Sequence, residues 1–239
     1  MSAAITAASG GEAARRFELL NAQDHRHLRL RPRRAGNQHF VQIVVNEFTA
    51  AAACCPILLT KDATSGDFYA GVLLGFKPGE CLLRTAAERA GFEPLNLQRD
   101  GFFISGEQIA IEPGNARFGE EGEPLFDEAE QPSARLRQIQ RALNRLHEGM
   151  QRTNAFIATL LDLNLVESID VSMNFDDDER LVLKGLYTVS MDSLHALEDK
   201  QIVSLFRRGD LQRIYAMNTS LSQIAVLAEK RNRQLRASA

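Results

Sequence analysis

The sequence is poor in cysteine and has no long apolar run, and each shortage argues against a class of protein. Its three cysteines, Cys54, Cys55 and Cys81, are an odd number without a CxxC spacing. In a chain of this length, that pattern argues against a disulfide scaffold and predicts reduced, buried thiols in a reducing compartment. A transmembrane helix needs a run of about 18 apolar residues, which the sequence does not contain.

The N-terminus also lacks the pattern of a secretory signal, in which basic residues precede a long apolar core. Its small apolar residues are interrupted by Ser, Thr and Gly, and Arg15 and Arg16 come late. We therefore expect a cytoplasmic protein without a membrane span. Specialised export through a C-terminal signal stays compatible with the sequence.

The chain has no excess of basic residues. Its formal net charge is −3, whereas a dedicated nucleic-acid-binding protein is usually strongly basic, so no nucleic-acid partner is expected. The remaining composition, 44% hydrophobic and 25% charged residues, is that of an ordinary globular protein. A chain of 239 residues can bury roughly 70–75% of its unfolded surface, which is enough for a sizeable core.

The sequence contains none of the short motifs that mark common catalytic sites. A glycine-rich GxGxxG turn after a strand, a P-loop, an HExxH helix and a GxSxG nucleophile turn are all absent. From these residues, no catalytic residue and no cofactor can be assigned.

Hydrophobic periodicity predicts an α+β fold. A mixed or antiparallel sheet is expected in residues 25–112, and a helical C-terminal half with one β-hairpin is expected to pack with it. Within this pattern, Asn46 is expected to cap a helix over 47–54, Ser133 to cap a long helix, and Gly209 to end the helix Asp199–Arg208. The hairpin is expected to join Ile169–Asn174 to Arg180–Val189. Short strands are expected over Cys81–Leu83, Phe102–Ile104 and Gln108–Ile111, and Gly149 is a position where the long helix could kink or split.

For domain organisation, we predict a flexible N-terminal segment over residues 1–24 and a single domain over residues 25–239. The acidic, Gly- and Pro-rich loop 113–132 is the candidate sub-boundary within that domain, because the β-rich part ends there and the helical part begins.

A basic segment near the start of the domain is the first candidate binding site. It contains five closely spaced arginines, namely Arg26, Arg29, Arg31, Arg33 and Arg34. Guanidinium groups bind phosphate and carboxylate well, so the segment is a candidate for gripping phosphate or an acidic partner. Two alternatives remain open: a solvated polar edge, or a segment folded onto the acidic loop 120–130 of the same chain or of a second copy.

A metal site is the second candidate. On a strand, the spacing of His25 and His27 would place both rings on one face, where His39 and Glu47 could complete a set of ligands for zinc or non-haem iron. The alternative is that the histidines are exposed or hydrogen-bonded beside the arginines, whose positive charge opposes a cation. We favour this alternative because spacing alone does not show that ligands converge.

The adjacent Cys54 and Cys55 could be a redox pair or a nucleophile. They follow the C-terminal end of a predicted helix, where the helix dipole disfavours a thiolate. Buried structural thiols are therefore the favoured interpretation.

Several short motifs in order resemble the SapC family. They are His27, Phe40, Asn46–Glu47–Phe48, Ala50–Ala51, Pro56–Ile57, Leu73–Leu74–Gly75–Phe76, Pro124–Leu125–Phe126–Asp127, Leu183–Val189, and Gly209–Ala216 with Ser220–Leu221. The resemblance runs from about His25 to Leu227. The sequence departs from the family pattern before Pro56, where Cys54 and Cys55 stand in place of the usual aromatic residue.

The resemblance implies a role connected with bacterial surface-layer loci, by which the family is named. Members also occur in gene clusters with flavin-dependent tryptophan-halogenase-like proteins and outer-membrane receptors. It therefore implies a non-enzymatic accessory or interaction protein of surface-layer or envelope-associated pathways, whose partner is another protein or a second copy. The alternative is an enzyme or enzyme partner, metal-dependent at His25, His27 and Glu47, in an amino-acid or peptide modification pathway.

Overall fold

The structure, a computed structural model, describes residues 17–32, 38–83, 87–177 and 179–238. The strands are β1 Glu18–Leu19, β2 Arg29–Leu30, β3 Phe40–Gln42, β4 Ile57–Lys61, β5 Phe68–Leu73, β6 Phe102–Ser105, β7 Gln108–Ile111, β8 Phe118–Gly119, β9 Glu123–Pro124, β10 Val166–Asn174 and β11 Arg180–Val189. The α-helices are α1 Ala22–His25, α2 Phe48–Ala52, α3 Leu95–Gln98, α4 Ala134–Asp162, α5 Met191–His195, α6 Asp199–Arg208, α7 Asp210–Ser220 and α8 Gln223–Ser238.

Helices and antiparallel sheets both occur, so the predicted α+β class is confirmed.

The described residues divide into two compact units, each built from two stretches of chain. The first unit combines residues up to 34 with 95–148, and the second combines 35–94 with 149–239. Loop 113–132 lies within the first unit. Of the segment predicted to be flexible, residues 1–16 lie outside the described part, and Glu18–Leu19 form β1.

The first unit contains two three-stranded antiparallel sheets, with strand orders β1-β7-β6 and β8-β2-β9. The predicted strands over 102–104 and 108–111 pair as the β6–β7 hairpin. The core of the first unit consists of apolar side chains from in and beside these sheets and from the first turns of α4. They are Leu30, Phe102, Ile111, Phe118, Leu125, Phe126, Leu136, Ile139 and Leu143. The rings of Phe102 and Phe118 meet edge to face with their centroids 5.2 Å apart.

The second unit is organised around one five-stranded antiparallel sheet, with strand order β10-β11-β4-β5-β3. Strand β4 lies in the middle, so its residues Ile57, Leu58 and Leu59 are fully buried. The predicted hairpin is confirmed as β10–β11. Phe48 of α2 meets Phe156 of α4 edge to face, with their ring centroids 5.9 Å apart.

Local signals predicted several helix ends correctly. The Ser133 hydroxyl accepts a hydrogen bond from the backbone N–H of Leu136 at 3.2 Å, so the predicted cap of α4 is confirmed. Helix α6 has the predicted bounds, and Gly209 ends it at φ 76°. That left-handed conformation strains residues with a Cβ, which explains the glycine.

Other local predictions were wrong. A single 3-10 turn, Val45–Glu47, precedes the short α2, so the helix over 47–54 does not start from Asn46. The expected strand over 81–83 is irregular, although Leu82 N–H donates to Leu74 O at 2.7 Å. The long helix is not split at Gly149, since α4 runs without a break from Ala134 to Asp162. Gly149 instead allows close packing of Val44, because a Cβ at position 149 would lie 2.5 Å from a Val44 methyl group.

Within the described ranges, no helix has both the length and the apolar character needed to cross a bilayer.

Candidate functional site

The described part of the arginine segment, which ends at Pro32, folds onto the acidic loop of the same chain. Strand β2 is the middle strand of its sheet, where Arg29 lies opposite Gly119 of β8 and Pro124 of β9. The Arg29 guanidinium donates to the Gly122 carbonyl at 3.4 Å, and a 3.9 Å ion pair joins Arg26 to Glu130. Of the alternatives left open by the sequence, the structure shows packing onto the same chain's acidic loop.

The charged ends of these arginines remain at the surface. Arg26, Arg29 and Arg31 are exposed, whereas Leu30 between them is buried. Gly119 lies directly against the Arg31 guanidinium, since a Cβ on Gly119 would come within 2.5 Å of Nη2. The surface therefore mixes basic and acidic groups. Arg33 and Arg34 lie outside the described residues, and a binding role for the five arginines stays a prediction.

The two candidate metal ligands near the arginines do not lie on a strand. His25 ends helix α1 and is buried, whereas His27 is exposed in the following turn. His25 Nδ1 lies 3.1 Å from Asn21 O, and Nε2 lies 3.7 Å from a Glu18 carboxylate oxygen. Both ring nitrogens of His25 thus have polar neighbours, as the alternative interpretation of the histidines expected.

The third candidate ligand, Glu47, has a structural contact. Its carboxylate accepts a hydrogen bond from Val44 N–H at 2.9 Å and so caps the 3-10 turn. Burial lowers the pKa of His39, and the charge of Glu80 opposes this shift. Across the part of the chain that the structure describes, no three His, Cys, Asp or Glu side chains form a group that could hold a metal ion.

The three cysteines are free and buried, as the sequence predicted. The sulfur atoms of Cys54 and Cys55 lie 3.3 Å apart. A hydrogen bond from Cys55 lowers the pKa of Cys54, while that same bond and burial raise the pKa of Cys55. Cys54 is only 7% exposed and Cys55 is fully buried, so neither thiol is open to a reagent in the folded chain.

Sequence reasoning did not single out an exposed apolar surface on α6, in the second unit. Phe206 is 72% exposed and Val203 is 46% exposed. Residues three apart are neighbours on one helix face, so the two side chains form one patch, which we call the α6 patch. Leu205, which lies about 100° around the helix from Phe206, is buried, so the helix is amphipathic and yet leaves an aromatic residue in solvent.

The ends of α6 hold this patch in place. At the start, Glu198 N–H donates to the Gln201 side chain at 3.0 Å. At the end, Arg208 lies 2.9 Å from the buried carboxylate of Asp210 and donates to Thr159 of α4 at 2.5 Å. Both ends of α6 are therefore joined to neighbouring groups of the second unit.

One sequence signal could have revealed the α6 patch. At 100° per residue, Ile202, Val203, Leu205 and Phe206 cover an apolar arc of about 160°. A stripe of about 100° is enough to face a core, so part of a wider arc is left for solvent or a partner.

No curated protein and no solved structure matches the chain. The family model SapC matches residues 20–227, which is most of the chain. The chain therefore belongs to the SapC family, as its motifs suggested.

Proposed function

We propose that this chain is a non-enzymatic accessory protein of bacterial surface-layer or envelope-associated pathways, and that it acts by binding a protein partner, either another protein or a second copy of itself. Membership of the SapC family supports the pathway, since the family is associated with surface-layer loci. The observation that carries the binding role is the α6 patch, where Phe206 is 72% exposed on a helix capped at both ends.

A partner that covers Phe206 removes its exposed ring from water. Burying a Phe side chain fully stabilises a complex by about 1.5–3 kcal/mol relative to leaving it in water. Single exposed apolar residues are common on protein surfaces. The α6 patch differs because an aromatic and a β-branched residue are adjacent and an exposed Arg207 flanks them. Aromatic and arginine residues are enriched at interfaces.

The arginines of the first unit are proposed as a second contact, with an acidic partner surface. The exposed guanidinium groups of Arg26, Arg29 and Arg31 support this role, and Arg33 and Arg34 would extend it. A double change, Arg26→Glu with Arg29→Glu, should weaken binding of an acidic protein that the wild-type chain captures from its own cell. Unchanged binding would mean that the arginines serve only to hold the acidic loop.

The test is site-specific photo-crosslinking in the cell that makes the protein. The photoreactive amino acid p-benzoylphenylalanine replaces Phe206 in one variant. In the matched control it replaces Val182, a 40% exposed apolar residue on β11. We expect a crosslinked protein from position 206 and none from position 182. The purified crosslinked protein should then bind the wild-type chain and bind a Phe206→Ser variant at least about tenfold more weakly.

Absence of any crosslink at position 206, with the variant folded and abundant, would overturn the binding role. An equal crosslink from both positions would mean that α6 is not a specific surface.

A further inference from the structure

We infer that the partner covering the α6 patch is a second copy of this chain, with the two α6 helices antiparallel across a twofold axis. This inference rests on the proposed function, because it names the partner of the same surface.

The charges along α6 are the first argument. The start of the helix carries Glu198, Asp199 and Lys200, and its end carries Arg207 and Arg208. Arg208 already pairs with Asp210, which leaves Arg207 as the exposed charge that is available at the end. The start therefore has a net charge of about −1 and the end about +1, so an antiparallel copy places opposite signs together.

The positions of the apolar residues agree with this arrangement. If the twofold axis passes beside Val203, each Val203 faces its equivalent in the second copy. Residues four positions either side then lie opposite each other, so Asp199 lies near Arg207 of the second copy. Each Phe206 packs beside the other Val203 and against the methylene groups of the other Lys200. The macrodipoles of the two helices also oppose each other favourably.

A second copy is favoured because a twofold interface must be self-complementary. The same short helix supplies both signs of charge and a central apolar patch, which meets this requirement without residues from elsewhere. A helix of 10 residues is about 15 Å long, so contacts through α6 alone make a small interface. We therefore expect a reversible dimer with a dissociation constant in the micromolar range, about 1–100 µM.

The experiment is sedimentation velocity on the purified full chain over about 1–200 µM, which brackets that range. The wild type should pass from one to two chain masses across these concentrations. Phe206→Ser should raise the dissociation constant at least about tenfold, because it removes the central aromatic contact. Val182→Ser, also at an exposed apolar position, should leave it unchanged.

A charge exchange tests the antiparallel arrangement. In the Arg207→Glu variant, the new carboxylate lies near Asp199 of the second copy, and the twofold axis repeats this contact. The two repulsive contacts should raise the dissociation constant about tenfold. Adding Asp199→Lys to the same chain restores opposite charges, and dimerisation should return. Circular dichroism establishes that each variant is folded, and Phe206 and Arg207 are both exposed, so their changes should not unfold the chain.

A wild type that stays monomeric at the highest concentration would overturn the second copy as the partner. If photo-crosslinking at position 206 still captured a different protein, the proposed function would stand without this inference. Loss of dimer in Arg207→Glu without rescue by Asp199→Lys would overturn the antiparallel arrangement.

Discussion

Replacing Arg231 with methionine should destabilise the second unit substantially. Arg231 lies on α8 with only 6% of its side chain exposed, 2.6 Å from a Glu179 oxygen and 3.4 Å from a Glu80 oxygen. Its guanidinium also stacks on the Phe175 ring, 4.1 Å from the centroid. Hydrogen bonds from Lys77 and Arg231 hold the pKa of Glu179 below its usual range. The methionine keeps much of the apolar stem and removes the charge.

The expected cost is about 2–3 kcal/mol. Removing one partner of a fully buried ion pair costs about 3–5 kcal/mol. Here the carboxylates of Glu179 and Glu80 are 34% and 22% exposed, so water can partly replace the lost charge. Within the described residues, Arg231 Nη1 has no hydrogen-bond partner, and its removal offsets part of the loss. The lost contact with the Phe175 ring adds about 0.5–1 kcal/mol.

The assay is urea unfolding followed by tyrosine fluorescence. The chain has no tryptophan, and its three tyrosines, Tyr69, Tyr187 and Tyr215, all belong to the second unit. The signal therefore reports the unit that contains Arg231. With a denaturant slope of about 2 kcal/mol per molar urea, the midpoint should fall by about 1 M.

The matched control is Arg233→Met, two residues along the same helix. Arg233 pairs with Glu229, but both side chains are more than 60% exposed, so its loss should shift the midpoint by less than about 0.3 M. If Arg231→Met shifted the midpoint no more than Arg233→Met, the buried ion pairs would contribute little to stability, and the reasoning would be refuted.

Further predictions concern the pH dependence of stability, the reactivity of the adjacent cysteines and the metal content. The ionised Glu179 should stabilise the fold fully above about pH 4.3 and lose this effect as the pH falls through its lowered pKa. The free energy of unfolding of the wild type should therefore fall more on acidification than that of the Arg231→Met variant. An equal fall in both proteins would contradict this. Cys54 and Cys55 should react with a thiol reagent roughly 100-fold more slowly in the native protein than in urea, as followed by mass spectrometry, because reaction requires local opening; rapid native labelling of both would show that they are accessible. Elemental analysis of gently purified protein should find well below one zinc or iron per chain, because the Glu47 carboxylate already binds a backbone N–H; a full equivalent of metal would support the enzyme alternative.

Local sequence signals predicted much of the secondary structure, because the groups involved lie close in the chain. Ser133 and the N–H it accepts from are three residues apart, and Gly209 directly follows the helix that it ends. The β10–β11 hairpin likewise joins neighbouring segments. The errors arose where a distant residue decided the outcome, as at Gly149, where the packing of Val44 matters more than the usual effect of glycine on a helix.

The candidate binding surfaces were less predictable. The sequence identified the arginine segment, but charge patterns alone do not distinguish a solvated edge from a paired strand. The pairing of β2 with β8 and β9 joins residues about 90 positions apart, and no local propensity encodes it. The α6 patch was missed because exposure depends on which side of the helix the rest of the unit covers.

The sequence by itself determined the family, the α+β class and the ends of several elements, because these depend on residue type, order and contacts between near neighbours. Only the tertiary structure decided that the two units each combine two separate stretches, that the arginines meet the acidic loop, and that Phe206 remains in solvent. These features depend on contacts between distant segments. Such contacts form only when apolar faces are buried together, and many pairings of those faces are compatible with the same local pattern.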